Sequence, residues 1–96
     1  MKYRRYDAKV DANQHQIIDD LKKIGCQVEP LMGSAGMPDL ICCLRNRLVM
    51  FEIKNPDGKN KVNSFQIDFH EKFKGHCHVV RSSQEALEIM TKETVS

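Results

Sequence analysis

The chain has 96 residues, of which 41% are hydrophobic and 29% are charged, and its net charge is +2. This length predicts one small domain with one core, and the composition excludes a disordered or fibrous protein. No apolar run reaches the roughly 18 residues of a membrane span, and MKYRRYDAKV lacks the hydrophobic stretch of a signal peptide, so we expect a cytoplasmic protein. The small net charge does not by itself indicate a polyanionic partner.

After a basic N-terminal arm, the first part of the chain predicts a helix and an edge strand. Apolar residues at helical spacing predict a helix over residues 11–24, with Gly25 at its C-terminal cap. Asp11 and Asn13 are candidate N-cap residues. A short segment over residues 26–31 predicts an edge strand, and the glycine-rich loop MGSAGMP follows it.

The rest of the chain predicts three more strands and two more helices. Two apolar strands, PDLICCL and RLVMFEIK, are joined by a tight turn at Arg45 and Asn46. The loop NPDGKNKVN follows, and then a helix capped by Asn63 or Ser64, whose three phenylalanines we expect in the core. A strand, HCHVV, and a last helix with a serine cap complete the chain. The order helix, three strands, helix, strand, helix predicts an α/β domain.

Three charged residues stand at one end of the two central strands. Asp39 opens the first strand, and Glu52 and Lys54 close the second. Side-chain alternation puts Glu52 and Lys54 on the same face of their strand. A two-residue turn puts Asp39 opposite Glu52, and a slip of one residue on each strand puts it opposite Lys54 instead. Both registers gather the three charges on one face, within roughly 5–8 Å of one another.

Two carboxylates held opposite each other destabilise a hairpin unless a cation lies between them. A hard divalent ion such as Mg²⁺ takes oxygen ligands and is commonly held by one or two carboxylates together with substrate phosphates. An ammonium group beside that ion can stabilise a phosphoryl transition state or orient the attacking water. The alternative is a surface ion triad in which Lys54 only neutralises its neighbours. The strand geometry alone leaves both interpretations open.

The same charged residues form a known signature. Pro38-Asp39, twelve residues and then Glu52-Ile53-Lys54 match the PD-(D/E)XK nuclease pattern. More closely, the chain resembles the virus-type replication-repair nuclease (VRR-NUC) domains of small stand-alone phage and bacterial proteins. The resembling segments are RRYDAKVDANQHQIIDDLKKIG, GMPDLI, FEIKNP, SFQIDFHEKFKG and VVRSSQEAL. The resemblance implies a restriction-endonuclease-like α/β fold, with a central mixed sheet flanked by helices.

The resemblance also implies an activity and roles for individual residues. It implies an endonuclease that hydrolyses DNA phosphodiester bonds with Mg²⁺ or Mn²⁺, in a bacterial cytosol or a phage-infected host. Stand-alone members of the family resemble homodimeric Holliday-junction resolvases. By this resemblance Asp39 and Glu52 would ligate the metal, with help from the backbone carbonyl of Ile53. Lys54 would assist the attacking water, and Gln66 would face the same pocket as a supporting polar residue.

The first helix departs from the family pattern. The family places there a glutamate that completes the metal site, and Gln14 occupies that position in this chain. A glutamine carbonyl can ligate a cation, but it lacks the negative charge, so the metal affinity should fall. Three explanations stay open: a natural variant with weak activity, an engineered substitution, or Asp11 in the role of the acid. The alternatives are therefore a catalytically weakened DNA-binding module and a nuclease subunit of a larger repair assembly.

Basic residues supply the candidate DNA contacts. The N-terminal arm, residues 1–9, and the loop after the second central strand would follow the phosphate backbone without reading the base sequence. The candidate residues are Arg4, Arg5, Lys9, Ser34, Lys59 and Lys61. The alternative for each basic cluster is ordinary solvated surface.

The cysteines and histidines do not predict a zinc site. Cys42 and Cys43 are adjacent in an apolar strand, which is typical of buried free thiols in a reducing cytosol. The segment HCH alternates across a strand, and neither a C-x-x-C nor an H-x-x-x-H spacing accompanies it. His70, one turn after Gln66, could approach the charged cluster as an acid or base, or could be a surface residue.

Overall fold

Three helices and a four-stranded sheet make up the part of the chain that the computed structural model describes, residues 8–32, 36–56 and 64–92, with side chains from residue 13 onward. The elements are α1 (Ala8–Lys23), β1 (Gln27–Pro30), β2 (Leu40–Leu44), β3 (Arg47–Ile53), α2 (Ser64–Lys72), β4 (Cys77–Val80) and α3 (Ser83–Thr91). The strand order is β1-β2-β3-β4, with antiparallel pairing among the first three strands and parallel pairing between β3 and β4. The predicted element order and mixed sheet are confirmed.

Helix α1 begins earlier than the sequence predicts. It begins at Ala8, so the last two residues of the predicted arm are helical, and Asp11 and Asn13 lie inside the helix instead of capping it. Ala8 and Lys9 are strong helix formers, so the helix continues upstream of the polar residues that resemble caps. Among the described residues, no helix combines the length and the apolar character that crossing a bilayer requires.

The C-terminus of α1 is capped at Gly25, as the sequence predicts. Gly25 adopts a φ of 98°, its N–H donates to the carbonyl of Lys22 at 3.0 Å, and the N–H of Cys26 donates to the carbonyl of Leu21 at 3.1 Å. This pair of bonds is a Schellman motif, which satisfies carbonyls that the helix leaves unpaired. The motif turns the chain directly into β1.

The central hairpin has the first of the two predicted registers. Arg45 and Asn46 both adopt left-handed backbone, with φ of 53° and 68°, as a two-residue type I′ turn requires. Leu44 pairs with Arg47, and the pairing continues to the other end of β2. One residue further along this register, Asp39 comes beside Glu52. The turn therefore sets which charged groups meet at the far end of the hairpin.

The two faces of β3 have different environments. Val49, Phe51 and Ile53 lie on one face and belong to the hydrophobic core. The core residues that α1 and α3 contribute are Ile17, Leu21, Ala86 and Met90. Glu52 points to the opposite face, where it bonds to a side chain of α2. The sheet is therefore flanked by α1 and α3 on one side and by α2 on the other.

The prediction that the phenylalanines of the second helix lie in the core is wrong. The side chain of Phe65 is 64% exposed and that of Phe73 is 43% exposed, while Phe69 is half-buried and stacks on Phe73 with ring centroids 4.5 Å apart. Gln66 is the buried residue of α2. Because the face of β3 that α2 covers carries charged groups, which need hydrogen-bond partners when buried, the helix turns a polar side chain toward the sheet.

Helix α3 follows its predicted pattern closely. Ser82 is the N-cap, and its hydroxyl accepts from the N–H of Glu85 at 3.2 Å. Ala86 and Met90 are buried and Leu87 packs against the core, as expected. This helix therefore covers the same face of the sheet as α1.

Gly36 lies directly against the first turn of α2. Its φ is +93°, and a Cβ built on it would lie 2.8 Å from the carbonyl oxygen of Phe65. We therefore expect Gly36→Ala to lower the free energy of unfolding by more than the about 1–2 kcal/mol that left-handed backbone costs a residue with a Cβ. Gly75→Ala is the matched control, because Gly75 has a φ of +92° and no atom within 4 Å of its built Cβ. Urea unfolding measures both variants, and equal losses would contradict this packing contact.

Candidate active site

Asp39 is anchored to the neighbouring strand by its backbone and by its side chain. Its N–H donates to the carbonyl of Phe51 at 2.9 Å, and its Oδ2 accepts from the N–H of Ile53 at 2.8 Å. The residue lies just before β2, after the buried Pro38. These contacts hold the carboxylate at the end of β3, on the edge from which Lys54 extends.

Glu52 is a buried carboxylate with one unsatisfied oxygen. The residue is only 4% exposed, and its Oε2 accepts from Gln66 Nε2 at 2.7 Å and lies 3.3 Å from Lys54 Nζ. Its other oxygen, Oε1, is buried without a hydrogen-bond partner among the described residues. A buried carboxylate oxygen without a partner is costly. This oxygen therefore indicates a position where a further ligand fits.

Lys54 and Gln66 complete a closed set of contacts around Glu52. Lys54 Nζ donates to Gln66 Oε1 at 3.2 Å, and the lysine side chain is only 10% exposed. Because the amide nitrogen of Gln66 faces a carboxylate and its oxygen faces an ammonium group, the orientation of this amide is determined by its neighbours. Gln66 therefore bonds to both the carboxylate of Glu52 and the ammonium group of Lys54, and it holds the two groups at a fixed separation.

The site carries more negative than positive charge. Burial, and after it the negative charge of Asp39, raise the pKa of Glu52 to about 7 against the opposing effects of Lys54 and Gln66. Burial also raises the pKa of Asp39, against the hydrogen bond from the N–H of Ile53 and the charge of Lys54. One ammonium group therefore does not compensate two partly buried carboxylates.

The donor set fits a hard divalent cation. Carboxylate oxygens are the ligands that Mg²⁺ and Mn²⁺ prefer, and Oε1 of Glu52 is one that lacks a hydrogen-bond partner among the described residues. The carboxylate of Asp39 is near enough to raise the pKa of Glu52 and supplies a second candidate ligand. Within residues 8–32, 36–56 and 64–92, no group of three histidine, cysteine or acidic side chains stands together as a metal site. The described part of the chain thus offers two carboxylates, and oxygen atoms of the backbone, of other side chains, of water or of the substrate would complete the coordination.

The structure brings together four of the residues that the sequence predicts for the site, namely Asp39, Glu52, Lys54 and Gln66. Gln14 lies half-buried on α1, and the contacts described above for the two carboxylates do not include it. The side chain of Asp11 lies outside the described residues. The metal-ligating roles of Gln14 and of the carbonyl of Ile53 therefore stay predictions.

The predicted DNA contacts fall almost entirely outside the described residues. These are Arg4, Arg5, Ser34, Lys59 and Lys61. Lys9 lies in α1, but its side chain is also outside the described part. The predicted roles of these residues in binding DNA therefore stay predictions.

Two residues that the sequence did not single out for the site hold the backbone next to it. Asn13 Nδ2 donates to the carbonyl of Lys54 at 3.2 Å, and Arg81 Nη1 donates to the carbonyl of Asn55 at 2.8 Å. Asn13 has the sequence pattern of an N-cap, and Arg81 follows the last strand without a motif of its own. Long-range contacts of this kind leave no spacing signal in a single sequence.

His70 lies beside a separate groove. A groove of about 370 Å³ between α2 and β4 is lined by His70, Ile67, Cys77 and Val79 among other residues. Burial lowers the pKa of the His70 imidazole, and the charges of His78 and Lys54 lower it further. The hydrogen bonds and the ion pair that Asp39 and Glu52 make with Ile53, Gln66 and Lys54 do not include His70.

The described cysteines are free thiols. Burial raises the pKa of Cys42 to about 12 and that of Cys77 to about 11. These two thiols are therefore protonated at neutral pH, and a protonated thiol is a poor nucleophile and a poor metal ligand.

Comparison with known proteins supports the fold. No family model matches the sequence, and no curated protein matches it. A solved structure described as a VRR_NUC domain is similar to this one, with a TM-score of 0.70 and 23% sequence identity. The similarity covers 88% of this chain and 96% of that chain. The chain therefore has the fold of a VRR_NUC domain, as its motifs predict.

Proposed function

We propose that this protein is a metal-dependent DNA endonuclease that hydrolyses phosphodiester bonds with Mg²⁺ or Mn²⁺. The observation that carries the proposal is the cluster of Asp39, Glu52, Lys54 and Gln66 at the end of the central hairpin. The solved structure with the same fold is described as a VRR_NUC domain, and this description supports a nuclease. The cluster combines oxygen ligands for a cation with an ammonium group held beside them, and such a combination supports metal-assisted phosphodiester hydrolysis.

Each residue has a distinct task in the proposed reaction. Asp39 and Glu52 would hold the cation, with the Ile53 carbonyl and Gln14 as further oxygen ligands. When bound, a divalent cation lowers the pKa of a water and neutralises charge on the scissile phosphate. The Lys54 ammonium group has three donors, of which two face Gln66 and Glu52. The third donor would contact a phosphate oxygen or orient the attacking water.

We also propose a homodimer that acts on branched DNA such as a Holliday junction during DNA repair or phage replication. A two-fold dimer would present two active sites to the two strands of a junction. Phe65, Ile67 and Phe73 are exposed apolar residues on and beside α2, and they offer a surface that a second copy of the chain could cover in the dimer. Light scattering coupled to size-exclusion chromatography tests the dimer, and a monomer at the concentrations that support cleavage would contradict it.

A second candidate is a catalytically weakened module that binds DNA. Gln14 stands where the family has an acid, and within the described ranges only two carboxylates meet at the site. A site with one negative charge fewer should bind a divalent cation less tightly. The same observations allow a nuclease subunit that reaches full activity only in a larger repair assembly.

A cleavage assay separates these functions. We expect the chain to cut a four-way junction faster than flap, linear duplex or single-stranded DNA, only when Mn²⁺ or Mg²⁺ is present. Gln14→Glu should lower the Mn²⁺ concentration needed for half-maximal cutting. Asp39→Ala should abolish cutting while DNA still binds at low salt, because the phosphate contacts lie elsewhere.

Two outcomes of that assay are decisive. If neither the chain nor Gln14→Glu cuts any of the four DNAs although both bind them, the endonuclease proposal fails and the binding module is supported. If cutting survives Asp39→Ala, the hydrolytic site lies elsewhere in the protein.

A further inference from the structure

We infer that Asn13 and Arg81 are positioning residues for Lys54, because they hold the backbone carbonyls of Lys54 and Asn55 and so fix the place of the lysine ammonium group beside Glu52. The inference rests on the proposed function, since it assigns Lys54 a part in cleavage. It extends the site to α1 and to the connection between β4 and α3.

Lys54 needs this support because it follows the last residue of its strand. Strand β3 ends at Ile53, and the N–H of Lys54 donates to the carbonyl of Val80 at 3.0 Å. The pairing of β3 with β2 extends to Phe51 and its pairing with β4 extends to Ile53, so Lys54 follows the paired part of the strand. A lysine side chain has a flexible four-carbon stem, so the place of its ammonium group depends on how firmly the backbone is held.

Two side-chain contacts hold the backbone carbonyls that follow the end of β3. Asn13 Nδ2 reaches the carbonyl of Lys54 at 3.2 Å, and Arg81 Nη1 reaches the carbonyl of Asn55 at 2.8 Å. The donors are 41 and 26 residues away in sequence from their acceptors, so each ties a different part of the fold to the end of β3. A charged donor such as guanidinium makes the stronger of the two kinds of bond.

The location of Asn13 supports a role beyond packing. It lies one helical turn before Ile17, which is fully buried in the core, so an apolar residue at position 13 would extend the apolar face of α1. The chain instead has an amide there, and its donor contacts the carbonyl of the residue that carries the ammonium group. The amide thus connects α1 directly to Lys54.

Matched substitutions test the inference. Asn13→Leu keeps the size of the side chain and removes its donor, Arg81→Met keeps the length and removes the guanidinium, and Arg81→Lys restores a charged donor. Gln16→Ala is the control, because Gln16 is an exposed residue of the same helix and its side chain donates to Asp20, away from Lys54. Small misplacements of a catalytic group can cost about 100-fold. We therefore expect kcat on a four-way junction to fall by about 10- to 100-fold in Asn13→Leu and Arg81→Met, with KM changed by less than about twofold.

A second readout does not depend on cleavage. Reductive methylation followed by mass spectrometry measures how fast each lysine reacts. Lys54 should react several-fold faster in Asn13→Leu and Arg81→Met, while the exposed Lys23 and Lys72 react at the wild-type rate. Arg81→Lys should partly restore both kcat and the slow reaction of Lys54. Thermal unfolding checks each variant, and Asn13→Ala replaces Asn13→Leu if the latter does not fold.

The outcomes keep the two proposals apart. If the wild-type chain cuts, both a lower kcat and a faster reaction of Lys54 are required, and either change without the other overturns the inference. If only Gln14→Glu cuts, the same substitutions are compared in that variant. If neither the wild-type chain nor Gln14→Glu cuts DNA, the proposed function fails, and the labelling alone decides whether Asn13 and Arg81 position Lys54.

Discussion

Lys54→Met is expected to reduce the rate of DNA cleavage by about 10²- to 10³-fold while Mn²⁺ binding persists. The substitution keeps most of the stem and removes the ammonium group that Gln66 and Glu52 hold at 3.2 Å and 3.3 Å. The two carboxylates remain, and without the neighbouring positive charge their attraction for a divalent cation should not weaken. Single-turnover cleavage measures the rate, and isothermal titration calorimetry at pH 8 measures the cation affinity.

The control for this substitution is Lys72→Met. Lys72 is an exposed lysine on α2 that pairs with Asp68 at 3.2 Å, and exposed pairs of this kind contribute little. We expect it to cut at the wild-type rate. A Lys54→Met protein that cuts as fast as Lys72→Met would show that the ammonium group takes no part in hydrolysis. Loss of Mn²⁺ binding in Lys54→Met would show a structural effect instead.

In EDTA, the wild-type protein is expected to lose up to about 3 kcal/mol of stability through Glu52 as the pH rises from 4.5 to 8. Burial raises the pKa of Glu52 from 4.5 to about 7. The folded protein thus holds this proton more tightly than the unfolded chain does. The contribution of Glu52 to stability is therefore fully present below pH 4.5 and is lost as the pH rises through about 7.

Glu52→Gln isolates this contribution, because glutamine keeps the shape and does not ionise. The free energies of unfolding from urea titrations in EDTA should be similar for the two proteins near pH 5, and the variant should be the more stable at pH 8. Excess Mn²⁺ at pH 8 should then stabilise the wild-type protein more than the variant, since a cation that binds only the folded carboxylate stabilises it. A difference between the proteins that is the same at pH 5 and pH 8 would contradict the raised pKa.

The sequence predicted the central hairpin and its charged end well. The alternation along β3 and the Arg45-Asn46 turn are local features, so they predict the hairpin and the common face of Glu52 and Lys54 without knowledge of the rest of the fold. Of the two registers that the sequence left open, the structure has the first. The PD-(D/E)XK spacing marked the residues that the structure then brought together. Local patterns were sufficient for this part of the site.

The sequence did not predict which side of α2 faces the sheet. The stripe of phenylalanines indicated a buried face, but Phe65 and Phe73 are exposed and Gln66 is buried. The orientation of α2 depends on what lies on the sheet beneath it, and there Glu52 and Lys54 require a polar partner. A helical pattern read alone cannot include this requirement, because it arises only when the two elements pack together.

The backbone contacts of Asn13 and Arg81 were also beyond the sequence. Each contact joins residues that are far apart in the chain, and the acceptor in each is a main-chain carbonyl, which every residue has. No residue type at the accepting position could have signalled the bond. For the same reason, the sequence predicts Asn13 as a helix cap, whereas in the fold its side chain donates to the carbonyl of Lys54, after the end of β3.

Crystals of the wild-type protein soaked in Mn²⁺ and measured at a wavelength where manganese scatters anomalously give the most direct test of the proposed site. We predict an anomalous peak between Asp39 and Glu52, within about 2.0–2.4 Å of an oxygen of each carboxylate and with Oε1 of Glu52 among its ligands. Glu52→Gln crystals soaked in the same way should show a weaker peak. The absence of a peak between the two carboxylates at saturating Mn²⁺, or a peak only elsewhere in the molecule, would contradict the metal-dependent site on which the proposed function depends.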